Sequence, residues 1–405
     1  MIKKLHKKML LAACFAGTML TSNAQTGLNF DGVNDYVDTN AVPITGNSAR
    51  TVEAWIKTTK NSLPSGQGGD GQSVILDWGS LGTGGRFTFN ALFNNAIRLE
   101  VQGNGVSGNI AVNDGEWHHV AAVYDPSAAY EVRLYVDGVL DVENDLTVSV
   151  YTGSSTNLRI GARIDDVHYW QGGIDEVRVW NIARTLEEIQ STMDVELCSD
   201  TSNLVAYYKF NEGTAAEDNS GITSAEDTAG VNDGTLENFS LAGATSNWVE
   251  SHGFLSLDEN TLTALQSGAT YQWIDCDNGG AYIDGATEQS FTPEVSGTYA
   301  VEITLDGCMT TSECMEVASL GIETSVIDGI KVYPNPTSDF VTISLNEINN
   351  YKVTLVTITG QIIGTYSDNQ SRELSIDLQD NKSGIYFLNI EVDGIQTKTI
   401  KVVRI

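Results

Sequence analysis

Apolar and polar residues alternate one by one along most of this chain, and stretches with helical spacing are rare. In Arg86-Phe87-Thr88-Phe89-Asn90-Ala91-Leu92-Phe93 the first positions alternate strictly, the period of a strand that buries one face. Near the other end, Val341, Ile343 and Leu345 alternate with Thr342 and Ser344 in the same way. Asp137-Gly138 separates Val132–Val136 from Val139–Val142, and Asp393-Gly394 separates Phe387–Val392 from Ile395–Ile400. Both are tight hairpin signals, since a type I′ turn needs positive φ at its centre. Only Thr185–Met193 reads as a helix. The pattern predicts an all-β protein of stacked antiparallel sheets, in which two inner faces share one core.

Composition sharpens this picture. The chain has 405 residues, 41% of them hydrophobic, with 39 Gly and 6 Pro. Such a chain is ordered rather than disordered, and its length suits about two to four domains. The formal net charge of −31 excludes nucleic acid as a partner, because phosphate binding needs clustered Lys and Arg. At the N-terminus Lys3, Lys4, Lys7 and Lys8 precede the mostly apolar Met9–Leu20, and Ser22-Asn23-Ala24 places small residues before Gln25. Residues 1–24 therefore read as a signal peptide. Leu11-Ala12-Ala13-Cys14 offers a lipoprotein-type alternative, but it leaves only Met9–Ala13 as the apolar core, so ordinary cleavage is favoured. No later run is apolar for the length of a membrane span, so no transmembrane segment is expected in the mature chain.

Cys198, Cys276, Cys308 and Cys314 follow the leader. An even count in an exported chain points to disulfides. Three of them share one short segment, so Cys276 is expected to pair with Cys308 or Cys314. Their spacing is not that of a zinc site.

Two stretches resemble known families. Ile330-Lys331-Val332-Tyr333-Pro334-Asn335-Pro336, then Ser383-Gly384-Ile385-Tyr386-Phe387-Leu388 and the basic end from Lys398 to Arg404 resemble the type A C-terminal sorting domain of the Bacteroidetes type IX secretion system. That resemblance implies the secretion machinery as a partner, delivery to the outer cell surface or medium, and a small β-sandwich of about seven short strands. The front of the chain carries Leu28-Asn29-Phe30-Asp31-Gly32, Thr51-Val52-Glu53-Ala54-Trp55-Ile56, Gly115-Glu116-Trp117-His118-His119-Val120-Ala121, Val132–Gly138, Leu158-Arg159-Ile160-Gly161 and Gly172–Trp180. In this order they resemble a LamG-like jelly roll of the concanavalin A-like lectin/glucanase superfamily. The resemblance implies two facing sheets, the concave one often used for binding. It also implies a structural calcium ion, for which Asp31, the Gly32 carbonyl and Asp175 stand at the matching positions; hard oxygen donors are what Ca²⁺ takes.

The resulting plan is a signal peptide over 1–24, a jelly-roll sandwich over 25–195 and a docked extension over 196–250. Two small Ig-like sandwiches follow, at 251–318 and 329–405, joined by a linker at 319–328. Catalysis is disfavoured. A glycosidase needs two carboxylates on one face, and no Glu-x-Asp-x-x-Glu strand occurs; Asp175 and Glu176 are adjacent and so point to opposite sides. No His-Glu-x-x-His helix or Gly-x-Ser-x-Gly elbow is present. His118 and His119 read as one core and one surface residue. Trp55, Trp117 and Trp180 lie within strand motifs and suit the core, whereas Tyr169 and Trp170 sit in a polar loop and are the expected ligand contacts. The expected function is recognition outside the cell, of a glycan or a surface protein, with a polysaccharide-degrading enzyme and a protein-binding adhesin as alternatives.

Overall fold

The computed structural model describes residues 25–61, 71–92, 94–198, 201–318, 330–392 and 395–405. The signal segment 1–24, the linker 319–328 and the Asp393-Gly394 turn lie outside these residues. The chain forms two compact units, residues 1–319 and 320–405.

The first unit opens with β1 (Thr26–Asp31), β2 (Tyr36–Asp38), β3 (Arg50–Lys57), β4 (Gln72–Gly79), β5 (Arg86–Leu92) and β6 (Ala96–Val101). Then come β7 (Asn104–Ala111), β8 (Trp117–Tyr124), β9 (Val132–Val136), β10 (Val139–Asn144), β11 (Thr156–Ile160) and β12 (Gln171–Trp180). A short helix α1 (Leu186–Gln190) precedes β13 (Leu204–Tyr208), β14 (Ser224–Ala225), β15 (Gly234–Glu237) and β16 (Asn247–Glu250). Thr185 caps α1 through a capping box with Glu188, which satisfies two orphan donors of its first turn.

These strands build two sheets. The first runs β10-β9-β8-β3-β12-β1-β16, with β13 also on β12; the second runs β14-β15-β2-β11-β4-β5-β6-β7. Alternation sends Phe87, Phe89 and Ala91 of β5, and Ile97, Leu99 and Val101 of β6, into one core with Val52, Ala54 and Ile56 of β3. Residues 201–250 do not lie beside this sandwich as a separate piece. They add strands to both sheets, and Ala206, Tyr208, Phe210, Ala225 and Trp248 enter the same core. Burying those side chains is what holds a segment too polar to make a core of its own.

Leu255–Val317 forms a three-stranded and a five-stranded sheet. Their core, around Trp273, Val301 and Ile303, is continuous with Trp180, Leu197 and Tyr207 of the front sandwich. Cys276 is bonded to Cys314, one of the two partners left open by the sequence, and Cys198 to Cys308.

The second unit is a single five-stranded sheet around Val341, Ile343, Val353, Leu355, Leu388 and Ile390. Among the described residues the expected seven short strands are five, because two run long. Phe340–Thr357 pairs with Lys331–Tyr333 along its first part and with Gly384–Val392 along its second.

Candidate ligand-binding face

The outward side of the second sheet is built by the residues that alternation keeps out of the core. Pairing register sets Asp38 opposite Arg159, Arg159 opposite Asp77, Asp77 opposite Thr88 and Thr88 opposite Glu100. One row of polar side chains thus crosses five strands. The next row sets Asn90 of β5 opposite Arg98 of β6, and Arg98 opposite Ser107 of β7.

Within the first row the hydroxyl of Thr88 donates to Asp77 Oδ1 at 2.6 Å. The Ile164 amide donates to Asp77 Oδ2 at 2.9 Å. Arg86 gives its Nε to Thr88 at 2.9 Å and its Nη2 to Glu100 at 2.8 Å. Arg98 Nη1 and Gln72 Nε2 both donate to Glu100 Oε2, at 2.6 and 2.9 Å. Asp77 is fully buried, and that burial pushes its carboxyl up to about 7 despite the hydrogen bonds and the Arg86 charge that pull it down. At the rim Arg159 bonds Asp166 at 2.6 Å and stacks on the Tyr36 ring, while Arg163 grips Asp165 with Nε at 2.6 Å and Nη2 at 3.0 Å.

Not all polar capacity on this face is used internally. Asn90 is 0% exposed, and neither its carbonyl oxygen nor its amide nitrogen has a partner. Gln72 Oε1 and Arg98 Nε are also buried and unmatched. Buried polar groups are nearly always satisfied, so three such side chains on adjacent strands mark a place where hydrogen bonds are still to be made.

On the outward side of the first sheet the chain itself covers part of the surface, and Asn29, Lys57 and Gly173 line a cavity of about 480 Å³ beside the covered part. Glu53 there meets Arg184 at 2.6 Å and His119 at 3.5 Å. Arg178 bonds Glu176, which also accepts from the Tyr207 hydroxyl. His252 packs on Trp55. His119 is buried in this layer, and His118 lies nearer the surface between Asp114 and Asp137.

The residues expected to bind are distributed as follows. Trp170 is 0% exposed and belongs to the main core; its indole N–H donates to the Gly173 carbonyl at 3.2 Å. A ring held there packs on the protein and has no face for a ligand, a correction to its reading as a contact. The hydrogen bond from the Trp170 amide to Gly161 seats the ring between the sheets, which loop composition does not reveal. Tyr169 stays partly exposed at the rim of the polar face, its carbonyl held by Lys60 at 3.1 Å.

Asp31, Gly32 and Asp175 do not converge on one point. Asp31 lies opposite Gln171, four residues before Asp175 along β12, a separation of roughly 13 Å at strand spacing. Asp31 Oδ1 accepts from the amides of Val33 and Asn34, and fully buried Asp175 accepts from Ser251 and the Glu176 amide. As a calcium donor set the three do not fit together. Among the described residues no group of three His, Cys, Asp or Glu side chains is arranged to hold a metal ion. Glu212, Glu226, Asp227 and Asp233 line a cavity of about 520 Å³, but the oxygens of Asp227 are taken by the amides of Tyr207 and Asn232.

Asp77, Arg86, Thr88, Asn90, Arg98 and Glu100 were not singled out by sequence reasoning. The signal was present in the unbroken polar run Arg86, Thr88, Asn90 on the alternating strand; their neighbours depend on register.

Residues 31–190 match the family model described as the concanavalin A-like lectin/glucanases superfamily, and residues 331–404 that of the secretion system C-terminal sorting domain. An ulvan lyase, NLR42, from Nonlabens ulvanivorans is 34% identical over 90 residues, 21% of this chain and 17% of that protein's length. A putative carbohydrate binding protein from Bacteroides ovatus is similar at 20% identity and a TM-score of 0.42, over 53% of this chain and 59% of that one. Domain 4 of the GH43 extracellular arabinanase AbnA from Geobacillus stearothermophilus, in complex with arabinotriose, is similar at 17% identity and a TM-score of 0.31, over 40% of this chain and 74% of that one.

Proposed function

We propose, for a chain whose front domain belongs to the concanavalin A-like lectin/glucanases superfamily and whose sorting domain directs it to the cell surface or medium, that it recognises saccharides without cleaving them. The observation that supports this most is Asn90, a buried carboxamide with both a donor and an acceptor unmatched on a broad polar face. A carboxamide pairs naturally with sugar hydroxyls, each of which donates and accepts. Leaving it unpaired carries a desolvation cost of about 1–3 kcal/mol that a hydroxylated ligand would remove. On the opposite face the chain's own Ile182, Thr192, Val195 and His252 cover part of the sheet, and beside them Asn29, Lys57, Gly173 and Val249 line a cavity of about 480 Å³.

A degradative reading draws on Asp77, whose carboxyl exchanges its proton near neutral pH, and on the partial likeness to an ulvan lyase. Against it, both oxygens of Asp77 are already bonded, and both oxygens of Glu100 are held by Arg86, Arg98 and Gln72. Both carboxylates are buried and tied into this hydrogen-bonded row, which argues against either acting as a free acid or base on a substrate.

A glycan array probed with the full chain, with and without chelator, tests the proposal. Specific binding with no release of reducing ends from the bound polymers is the expected result. Release of reducing ends or of unsaturated sugars would overturn the non-catalytic reading, and a blank array the recognition reading.

A further inference from the structure

The outward side of the first sheet opens at the end where Lys57 closes β3. Leu28 and Phe30 of β1 enter the core, so alternation turns Asn29 outward, and Val249 is outward beside the core residue Trp248. With Lys57, Thr59, Gly173 and Glu250 these two line a cavity of about 480 Å³, within the roughly 300–1,000 Å³ usual for small-ligand sites. Lys57, Thr59 and Glu250 are exposed, so the cavity is open to solvent. Its lining crosses four strands, from β3 through β12 and β1 to β16, a span of roughly 14 Å at the usual strand spacing.

Bare backbone forms the floor. A Cβ on Gly172 would collide with the Lys57 carbonyl oxygen, and one on Gly173 would lie 2.5 Å from the six-membered ring of Trp117. Trp117 is only half-buried and sits outside the core that its strand motif suggested. Its ring is edge-on to His252, with centroids 6.5 Å apart. The indole therefore stands between the floor of the cavity and the covered layer of Trp55 and His252.

The lining favours one class of ligand. Among the described residues the Lys57 ammonium, the Asn29 carboxamide and the Thr59 hydroxyl have no hydrogen-bond or ion-pair partner. Small apolar groups, Ala215, Ala216 and Val249, lie between them. A saccharide has the matching character, since its hydroxyls both donate and accept while its C–H faces are apolar. Lys57 and Glu250 are the charged residues of the lining and balance each other, so no net charge selects an anion or a cation. A phosphate backbone would need clustered cations, which this lining lacks.

We infer that this cavity is a second saccharide site, on the sheet opposite the polar face, and that it takes a short neutral oligosaccharide. Lys57 and Asn29 bond hydroxyls of the sugar, Val249 and the two alanines meet its C–H faces, and Thr59 stands at the mouth. The inference rests on the recognition reading above and adds a place and a ligand class to it.

Residue-resolved amide NMR of the full chain tests it, with laminaritriose, mannotriose, xylotriose and tri-galacturonate titrated in turn. A neutral trisaccharide is expected to shift the amides of Asn29, Gly115 and Gly173, with little dependence on salt. Lys57→Ala should weaken that binding about tenfold, as for one lost charge-assisted hydrogen bond, and Thr59→Trp should abolish it by filling the mouth. Both residues are exposed, so the variants should melt with the parent chain; the shift map of the parent stands independently of either. Neutral sugars that shift only the amides of Thr88 and Asn90, or binding unchanged in both variants, overturn the inference and leave recognition standing. Salt-sensitive binding of tri-galacturonate at Gly173, with no response there to the neutral sugars, overturns it as well. No shift with any of the four sugars overturns recognition itself.

Discussion

The imidazole of His252 lies flat on the indole of Trp55, with centroids 4.1 Å apart and planes 7° from parallel. Trp55 belongs to β3 of the front sandwich, and His252 to the segment that leaves β16 for the Leu255–Val317 module. The stack therefore pins the start of that module to the outward side of the first sheet. Burial holds the imidazole down to about 4, so it is neutral at ordinary pH and packs as an aromatic ring. His252→Ala should cost about 2–4 kcal/mol in chemical denaturation, the range for removing a large buried side chain. His252→Phe should recover most of it. Equal stability of the alanine variant and the parent chain would show that the stack is incidental.

Stability should increase as pH falls from 8 towards 5. Burial raises Asp77 to about 7 and Asp35 to about 6, each above its unfolded value near 3.8. A raised carboxylate contributes stability that is complete below its unfolded pKa and is lost as pH rises through its folded pKa. For these two groups the loss falls between pH 4 and about 7. Two groups act in the opposite sense. His252, lowered to about 4, gives up its contribution as pH falls below 6.5, and Glu53, lowered to about 2 against Arg184 and His119, does so below 4.5. Below pH 4.5 these two together offset Asp77 and Asp35, so the optimum lies near pH 4, and Asp77→Asn should flatten the alkaline side of the profile. A stability maximum above pH 8 would contradict this assignment.

The alternation of Arg86 to Ala91 was legible as a strand with Phe87 and Phe89 inside, and the all-β sandwich follows from such runs. The polar face they leave outside was not legible as a site. Asp77 and Glu100 meet through Thr88 and Arg86 only because three strands align in one register, with a bulge between Val74 and Leu76 resetting β4 against β5. A single sequence carries no record of register between strands this far apart. Trp170 misled for a related reason: Asp165 to Gln171 is polar by composition, but one aromatic ring within it turns into the core. The Cys198–Cys308 bond, spanning 110 residues, depends on how the Leu255–Val317 module packs, and spacing does not encode that.

Trp170 and Tyr169 should separate stability from binding. Trp170→Ala removes a fully buried indole from the main core and should cost about 3–5 kcal/mol. Tyr169→Ala, at the partly exposed rim, should leave the melting temperature within a few degrees and weaken ligand binding instead. A Trp170→Ala chain that melts like the parent but fails to bind would reinstate that residue as a ligand contact.

Asn90→Leu offers the sharpest test of whether the unmatched carboxamide serves a ligand. Replacing an unsatisfied buried amide by an apolar group of similar size should be neutral or stabilising, by up to roughly 2 kcal/mol. Recognition should fall at the same time, because the hydroxyl partner is gone. Opposite movement of stability and affinity marks a residue kept for function. A large loss of stability would mean that Asn90 serves the fold instead.

The two disulfides should differ in weight. Cys276–Cys314 closes 38 residues inside one module, and Cys198–Cys308 closes 110 between the front sandwich and that module. On the chain-entropy account these loops correspond to roughly 4 and 5 kcal/mol of stabilisation. Removing the longer one with Cys198→Ser and Cys308→Ser should therefore lower the melting temperature more than Cys276→Ser with Cys314→Ser. It should not split the first unit into two transitions, because Trp180, Leu197 and Tyr207 share a continuous apolar core with Phe254, Trp273 and Val301. Cooperativity rests on that shared core, so calorimetry of the double-serine variant should still show one transition for residues 25–318. Two resolved transitions would show that the covalent link, rather than the buried aromatic layer, couples the module to the sandwich.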